Sequence, residues 1–145
     1  MEPMTEPRDH AWRVAVVVLS WNRREDTLRC LGSLAAATYR PLDIVVVDNG
    51  SSDGSADAVA GAFPDASLVR LPRNTGFSGG VNAGIGASRE LEADAALLLN
   101  NDMTVDAGFV EPLVAAAGAP GVGAVCSQIL YQRAAARERG ERGRG

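Results

Sequence analysis

The sequence contains no lysine, and all 14 of its basic residues are arginines. A phosphate-binding P-loop needs a lysine in the pattern G-x-x-x-x-G-K-[ST], so this class of nucleotide-binding site is excluded. Histidine is nearly absent as well, since His10 is the single one and lies in a polar N-terminal segment. A serine or cysteine hydrolase would lack the base of its catalytic triad, so that class is disfavoured too.

Cysteine is scarce, with only Cys30 and Cys126 in 145 residues. No C-x-x-C pair is present, and with a single histidine the chain offers no zinc-ligand pattern. Cys30 falls in a helical pattern and Cys126 in a strand pattern. We therefore expect two buried, reduced thiols in a cytoplasmic protein.

Long hydrophobic runs are missing as well. The longest β-branched run covers residues 14–19, far short of the ~20 residues that a membrane-spanning helix needs. The N-terminus is acidic and contains proline, unlike the basic start of a signal peptide. The net charge of −4 gives no indication of nucleic-acid binding, and it is unevenly spread: residues 1–132 carry −7 and residues 133–145 carry +3.

The apolar residues that are present are mostly small, and they alternate between β-branched runs and helical stripes. Strands are predicted at residues 14–19, 44–47, 67–71, 95–99 and 122–126, with an extension of the last to residue 130 left open. Helices are predicted at residues 24–37, 55–63, 81–89 and about 105–114. This order predicts a single α/β domain, with a mostly parallel twisted sheet and helices on both faces.

A glycine-rich loop is predicted at residues 72–80, immediately before the third helix. Glycines leave the backbone N–H groups of such a loop open to a ligand. Gly84 and Gly86 lie inside the helix itself, where each glycine costs about 1 kcal/mol relative to alanine. We therefore expect this helix to pack very closely on the sheet or on a ligand.

The fourth apolar run ends abruptly in Asn100, Asn101 and Asp102. So short and unbroken a run predicts a strand buried on both faces, although a buried helical segment has the same pattern. Ligands of open α/β sheets bind beyond the carboxyl ends of the strands, where a carboxylate such as Asp102 can hold a hard cation. The structural alternative is a turn that caps the next helix.

Polar residues also follow the other predicted strands, and in a parallel sheet they gather at one edge. They are Ser20 and Asn22, Asp48 and Asn49, and Arg73 and Asn74. Asp48 can accept a hydrogen bond from a base N–H or a ribose hydroxyl. The structural alternatives are Asn22 as the N-cap of the first helix, a tight turn at residues 48–50 and a core position for Trp21.

Other nucleotide-binding classes fit less well. A dinucleotide-binding Rossmann domain needs G-x-G-x-x-G directly after the first strand, where residues 20–24 read S-W-N-R-R. A phospho-accepting signalling domain would need acidic residues at that strand end and a lysine, and both are absent. A nucleotidyltransferase usually carries a glycine-rich basic loop there, and it stays as a weaker alternative.

Four segments resemble the motifs of family 2 glycosyltransferases of the GT-A fold, in particular the rhamnosyltransferase-like branch. They read VVVLSWNR at 16–23, IVVVDNGSSDGS at 44–55, NTGFSGGVNAG at 74–84 and LLLNND at 97–102. The resemblance implies transfer of a sugar, with inversion, from a dTDP- or UDP-linked donor to a saccharide or lipid-linked acceptor. It also implies Mg²⁺ or Mn²⁺ as cofactor, and a location in the cytoplasm or at the inner face of the membrane.

The same resemblance implies a role for each matching residue. Asp48 would recognise the donor base, and Ser20 and Asn22 would line the base and ribose pocket. Arg73 and Asn82 would lie near the base or the diphosphate, although Asn82 at a helix start is equally suited to capping.

Asn100, Asn101 and Asp102 occupy the position of the family's D-x-D motif and would also bind the donor. The first acid is replaced by Asn100, a departure common in this branch. Asp102 is then the sole acidic metal ligand of the motif, so metal affinity would rest heavily on diphosphate oxygens and water.

We expect a flexible N-terminus at residues 1–12, a nucleotide-sugar-binding domain at 13–131 and a disordered Arg/Gly-rich tail at 132–145. The family's acceptor half and catalytic base follow the D-x-D motif, so no residue of this chain is nominated as the base. The abrupt change of composition near residue 133 suggests truncation by a frameshift, a hypothesis that an unbroken reading frame with a genuine stop would refute. The alternatives are a catalytically inactive nucleotide-sugar-binding remnant and an unstable fragment that aggregates through an exposed apolar edge.

Overall fold

The computed structural model describes residues 10–130, and the expectations about residues 1–9 and 131–145 lie outside that range. Strands and helices alternate along the described chain. The strands are β1 (Val14–Ser20), β2 (Leu42–Asp48), β3 (Ser67–Arg70) and β4 (Ala95–Asn100). The helices are α1 (Arg24–Ala35), α2 (Ser55–Ala62), α3 (Gly76–Glu90) and α4 (Val110–Ala117).

The four strands form one sheet in the order β3-β2-β1-β4, and all three strand pairs are parallel. The predicted parallel sheet is confirmed. β1 lies inside the sheet and is buried from Val14 to Val18, as an unbroken β-branched run requires when a strand is covered on both faces.

Helices cover both faces of the sheet, as predicted. Val16 and Val18 of β1 point to a cluster formed with α1 and α2, whereas Ala15 and Val17 point to a cluster formed with α3. Alternate residues of a strand face opposite sides, so β1 contributes to both clusters. Among the helices of residues 10–130, none is long and apolar enough to cross a membrane.

Helix α3 begins at Gly76, five residues before the predicted start, so the glycines at 76–80 belong to the helix rather than to a loop. Packing explains the difference. A Cβ on Gly80 would collide with Leu19, and a Cβ on Gly84 would collide with Val17. Close contact with β1 offsets the low helix propensity of glycine. The expectation of close packing is thus confirmed for Gly84 and wrong for Gly86, which has open space around it.

The prediction that the run 95–99 is buried on both faces is wrong. β4 lies at the edge of the sheet, and Ala96, Leu98 and Asn100 are exposed in alternation with half-buried neighbours. Leu98 is 49% exposed. The cause is the position of α3, which lies mainly over β1 and β2 and leaves the same face of β4 uncovered by residues 10–130.

The strand predicted at 122–126, with its extension to residue 130, is wrong, because this segment has no strand pairing. Gly121 and Gly123 disfavour an extended ladder, and Val122 and Val125 are exposed. Cys126 is consequently exposed rather than buried, whereas Cys30 is buried as expected. The last helix also starts later than predicted, at Val110.

Candidate functional site

The ends of the parallel strands meet at one edge of the sheet. Ser20 at the end of β1 pairs with Asp48 at the end of β2, and Leu19 pairs with Asn100 at the end of β4. Asp48 pairs in turn with Arg70 of β3. The carboxyl edge therefore brings together the polar residues that follow different strands, as the sequence predicted.

Two grooves open at this edge. We call the first, of about 460 Å³, the β2–β3 groove; residues that line it include Asp48, Ser51, Ser52, Asp57, Arg70 and Pro72. We call the second, of about 330 Å³, the β1–β4 groove; residues that line it include Trp21, Asn49, Asn74, Phe77, Asn100 and Asn101. Of the residues to which the family resemblance gives a donor or metal role, three line a groove: Asp48, Asn100 and Asn101.

Asp48 is the buried acid of the site, with only 5% of its surface exposed. Its Oδ2 accepts a hydrogen bond from the Ser51 N–H at 3.2 Å. Its Oδ1 is buried and has no hydrogen-bond partner among residues 10–130. A buried acceptor without a partner costs about 1–3 kcal/mol, so this oxygen is suited to a ligand N–H.

Asn22 shapes the loop between β1 and α1. It has a positive φ of 56°, its N–H donates to Ser51 Oγ at 2.8 Å, and its Oδ1 accepts from the Ser52 N–H at 3.0 Å. The prediction that Asn22 caps α1 is wrong, because its side chain is used to hold the loop after β2. Its side chain lines neither groove.

The N-termini of α1 and α2 share one carboxylate, that of Asp53. Oδ2 accepts from the Arg24 N–H at 3.1 Å, and Oδ1 accepts from the Ser55 N–H at 3.0 Å and from the Ser55 hydroxyl. The hydrogen bond from the Ser55 hydroxyl is the main cause that lowers the pKa of Asp53. One side chain of the loop after β2 thus satisfies backbone donors at the starts of two helices.

Ser20 and the triplet after β4 are joined through Thr27, which is fully buried on α1. The Thr27 hydroxyl lies 2.9 Å from Ser20 Oγ and accepts a hydrogen bond from Asn101 Nδ2 at 2.9 Å. Ser20 is itself buried and lines neither groove. Sequence reasoning missed Thr27, since a threonine in the first turn of a helix carries no specific signal.

Asn49 fixes the start of α3. It is 2% exposed, and its Nδ2 donates to Asn74 Oδ1 at 3.2 Å and to the Gly76 carbonyl at 3.0 Å. Its Oδ1 accepts from the N–H and the hydroxyl of Thr75 at 2.9 and 3.0 Å. A single buried amide thus ties the end of β2 to the wall of the β1–β4 groove.

Arg73 and Asn82 are not brought into either groove. The backbone of Arg73 packs on Gly50, where a Cβ would approach the Arg73 carbonyl carbon to 2.6 Å and where φ is +76°. Asn82 is exposed in the second turn of α3. Because α3 begins at Gly76, the alternative that Asn82 caps this helix is excluded.

The triplet after β4 forms a turn, which the Met103 N–H closes by donating to the Asn100 carbonyl at 3.2 Å. The turn interpretation is therefore correct for the backbone. The capping alternative is wrong, because α4 begins only at Val110. The Asp102 carboxylate is exposed and has no hydrogen-bond or ion-pair partner among residues 10–130.

The residues at the triplet fit a hard divalent cation in part. Asp102 supplies an exposed carboxylate, and Asn100 and Asn101 supply amide oxygens, which are the donors that Mg²⁺ and Mn²⁺ prefer. Residues 10–130 contain no group of three or more His, Cys, Asp or Glu that could hold a metal. A cation here would take its remaining ligands from a bound phosphate or from water.

Trp21 is 54% exposed, so its predicted place in the core is wrong. It follows the last buried residue of β1 and lines the β1–β4 groove together with the exposed Phe77. No pattern in the sequence distinguishes this tryptophan from a core residue. Two aromatic side chains at the rim of a groove offer flat apolar surface to a ring-shaped ligand.

A parallel α/β sheet with its grooves at the carboxyl edge defines the chain as an open-sheet domain of the kind that binds ligands beyond the strand ends. The family model described as glycosyl transferase family 2 matches residues 15–144. The chain belongs to glycosyltransferase family 2, which confirms the resemblance seen in its four motifs.

Curated relatives agree with this assignment. The chain is 30% identical over 110 residues to the N-acetylglucosaminyl-diphospho-decaprenol L-rhamnosyltransferase of Mycobacterium tuberculosis, a match that covers 70% of this chain and 36% of the relative. It is 40% identical over 78 residues to the succinoglycan biosynthesis protein ExoO of Rhizobium meliloti, covering 52% of this chain and 22% of that protein. The chain therefore spans about a third or less of the curated relatives compared.

Solved glycosyltransferases share the fold. The mannosyltransferase PcManGT of Pyrobaculum calidifontis, solved with GDP-Man and Mn²⁺, superposes with a TM-score of 0.56 at 24% identity, covering 72% of this chain and 32% of that one. TarS of S. aureus, solved with UDP-GlcNAc, superposes with a TM-score of 0.61 at 20% identity, covering 72% and 31%. At these identities the likeness shows the fold alone.

Proposed function

We propose that residues 13–131 bind a nucleotide-diphosphate sugar and form the donor-binding domain of an inverting, metal-assisted glycosyltransferase. One observation carries the proposal. Asp48, with a buried and unpartnered Oδ1, and the triplet 100–102 lie at the ends of the two strands that flank β1. A base acceptor and a phosphate-proximal carboxylate are thus available at one edge of the sheet.

Asp48 is the proposed base-recognition residue. Its free Oδ1 accepts the N–H of a uracil or thymine ring, and its Oδ2 is held by the Ser51 N–H. Asn22 does not line this groove but positions part of it, because it binds the loop at Ser51 and Ser52. Ser20 supports the strand end through Thr27 rather than through direct contact.

The triplet is the proposed diphosphate site. Asn100 and Asn101 line the β1–β4 groove, and the exposed Asp102 carboxylate holds Mg²⁺ or Mn²⁺ together with the donor phosphates. When bound, the cation neutralises the charge that develops on the departing nucleoside diphosphate. Arg73 and Asn82 stay predicted donor contacts that no groove of the described residues includes.

The acceptor is proposed to be a saccharide or a lipid-linked saccharide used in cell-wall or polysaccharide synthesis. The name of the Mycobacterium relative, which acts on a decaprenol-linked acceptor, supports this class. A working position in the cytoplasm, at the inner face of the membrane, is part of the same proposal. No residue among 10–130 is assigned as the base that deprotonates the acceptor hydroxyl.

Calorimetric titration of the full chain with UDP and dTDP, with and without Mn²⁺, tests the donor site. Asp48→Asn should weaken nucleotide binding by about tenfold in both conditions, because a charge-assisted hydrogen bond to the base is lost. Asp102→Asn should remove only the increment that Mn²⁺ adds. Asp65→Asn is the matched control, since Asp65 is exposed before β3 and makes no hydrogen bond or ion pair within residues 10–130. Equal affinities in all four proteins would refute the proposal.

A catalytically inactive nucleotide-sugar-binding domain is the second candidate. It would make the same donor contacts as the first candidate but would not transfer the sugar. Turnover separates the two: nucleoside diphosphate released from a UDP- or dTDP-sugar with Mn²⁺ and saccharide acceptors supports the enzyme. Tight donor binding without release supports the binding domain.

A further inference from the structure

We propose that Arg70 is a specificity-determining residue of the β2–β3 groove, donating a hydrogen bond to a carbonyl oxygen of a uracil or thymine ring. The proposal rests on the donor site described above, in which Asp48 accepts the ring N–H. It adds a residue that the sequence motifs do not include, and it names the class of base that the groove selects.

Register brings Arg70 to the base acceptor. Arg70 is the pairing partner of Asp48 across β2 and β3, so the two side chains leave the sheet on the same face. Both line the β2–β3 groove. The groove therefore holds both a cationic donor and the carboxylate whose Oδ1 lacks a partner among residues 10–130.

Two backbone donors in this groove are already engaged. The Ser51 N–H is bound to Asp48 Oδ2, and the Ser52 N–H is bound to Asn22 Oδ1. Arg73, the arginine that the motifs indicate, does not line the groove. Among the described residues that line it, Arg70 is the only one with a cationic side chain.

The guanidinium of Arg70 makes one ion pair and keeps further N–H donors available. Its Nη1 lies 2.9 Å from Oδ1 of Asp57, in the first turn of α2, and both side chains are largely exposed. An exposed ion pair of this kind is weak and readily rearranged. Arginine has five N–H donors, so the pair orients the group while leaving donors for a ligand.

The pairing of one free acceptor with one donor discriminates between bases. Uracil and thymine present a single N–H flanked by carbonyl oxygens, which matches Asp48 Oδ1 beside Arg70. Guanine presents an N–H next to an amino group, two donors that call for two free carboxylate oxygens. Asp48 offers one, because its Oδ2 is bound to the Ser51 N–H. The groove therefore favours UDP or dTDP over GDP.

The test is calorimetric titration of the full chain with UDP, uridine and GDP in Mn²⁺. Arg70→Gln should weaken UDP and uridine alike by about tenfold and reduce the preference for UDP over GDP, because a charged donor to the base is removed. Arg89→Gln is the matched control, since Arg89 is exposed in the last turn of α3. Asp57→Asn breaks the same ion pair but keeps the guanidinium, so UDP should bind at least as tightly as to the wild type.

The other outcomes each overturn the assignment. A loss confined to UDP, with uridine unaffected, puts Arg70 at the phosphates. If Asp57→Asn weakens UDP binding as much as Arg70→Gln does, the ion pair has a structural role and Arg70 does not contact the base. If Arg73→Gln weakens UDP binding and Arg70→Gln does not, the base contact belongs to Arg73. UDP binding unchanged in Arg70→Gln refutes this inference alone, whereas a wild type that binds no nucleotide refutes the donor site and the inference together.

Discussion

The side-chain amide of Asn49 donates to Oδ1 of Asn74 over 3.2 Å, which joins the residue after β2 to the turn before α3. The same Asn74 oxygen accepts from the Gly76 N–H at 2.8 Å, so the two asparagines together satisfy the first backbone donors of the helix. Asn49 and Asn74 both line the β1–β4 groove, and Asp48, the residue before Asn49, lines the β2–β3 groove. Adjacent residues at the end of β2 therefore contribute to both grooves.

Asn49→Ala should lower the free energy of unfolding by about 1–3 kcal/mol, because the buried Asn49 amide makes four hydrogen bonds that the substitution removes. Urea unfolding followed by fluorescence measures the change. Asn82→Ala is the matched control: Asn82 is exposed on α3, so the same substitution should change stability by no more than about 0.5 kcal/mol. Similar losses in the two variants would contradict the role given to Asn49.

Two glycines of α3 should respond in opposite directions to alanine. Gly84→Ala should destabilise the protein by about 1–3 kcal/mol, since its Cβ would collide with Val17 of β1. Gly86→Ala should stabilise it by about 0.5–1 kcal/mol, because the site is open and alanine is the better helix former. Thermal unfolding of both variants checks the sign, and a gain from Gly84→Ala would mean that α3 does not pack as described.

The stability of the protein should fall in acid through Asp53. Its pKa is lowered in the folded state from the ordinary 3.8, first by the Ser55 hydroxyl, so its contribution is fully present above pH 4 and is lost as the pH falls toward the folded-state pKa. Asp53→Asn should therefore cost more stability at pH 7 than at pH 2.5. Asp65→Asn, at an exposed acid that makes no hydrogen bond or ion pair within the described chain, should show no such difference in urea titrations at the two pH values.

The two thiols should react at different rates. Burial, and next the charge of Asp102, raise the pKa of Cys30 from 9.0 to about 11, whereas Cys126 is exposed. Because the thiolate is the reactive form, an aromatic disulfide reagent at pH 8 should titrate one thiol quickly in the native protein and two in urea. Cys126→Ser should remove the fast phase, and a fast phase that survives would contradict the burial of Cys30. The raised pKa also means that the stability contributed by Cys30 is complete below pH 9 and is lost as the pH rises toward 11.

The sequence pattern predicts the bounds of those strands and helices whose own residues form the core. The β-branched run of β1 and the apolar stripe of α1 gave bounds within two residues, because both elements are buried by the described chain itself. β4 was predicted in place but not in environment. Its composition matches a strand covered on both faces, whereas exposure depends on what lies beside it, which a single run of residues does not encode.

The site was predicted as a set of strand ends, and its inner contacts were not. Asp48 and the triplet could be found because a parallel sheet brings strand ends together. For Asn22, by contrast, the sequence predicts a cap for α1, whereas its side-chain oxygen accepts a hydrogen bond from the Ser52 N–H in the loop after β2. Partners 30 residues apart in sequence leave no periodic signal, and the same holds for Arg70 beside Asp48.

The parallel order of the sheet has a consequence for a chain without lysine. Because β1, β2 and β3 all run the same way, the helices that follow them all begin on the carboxyl side of the sheet, at Arg24, Ser55 and Gly76. Aligned peptide dipoles give each such helix end about half a positive elementary charge. In this acidic molecule, main-chain amides therefore supply part of the positive potential at the strand ends, as where the N–H groups of Arg24 and Ser55 hold the Asp53 carboxylate. These amides titrate at no accessible pH, and salt weakens their effect.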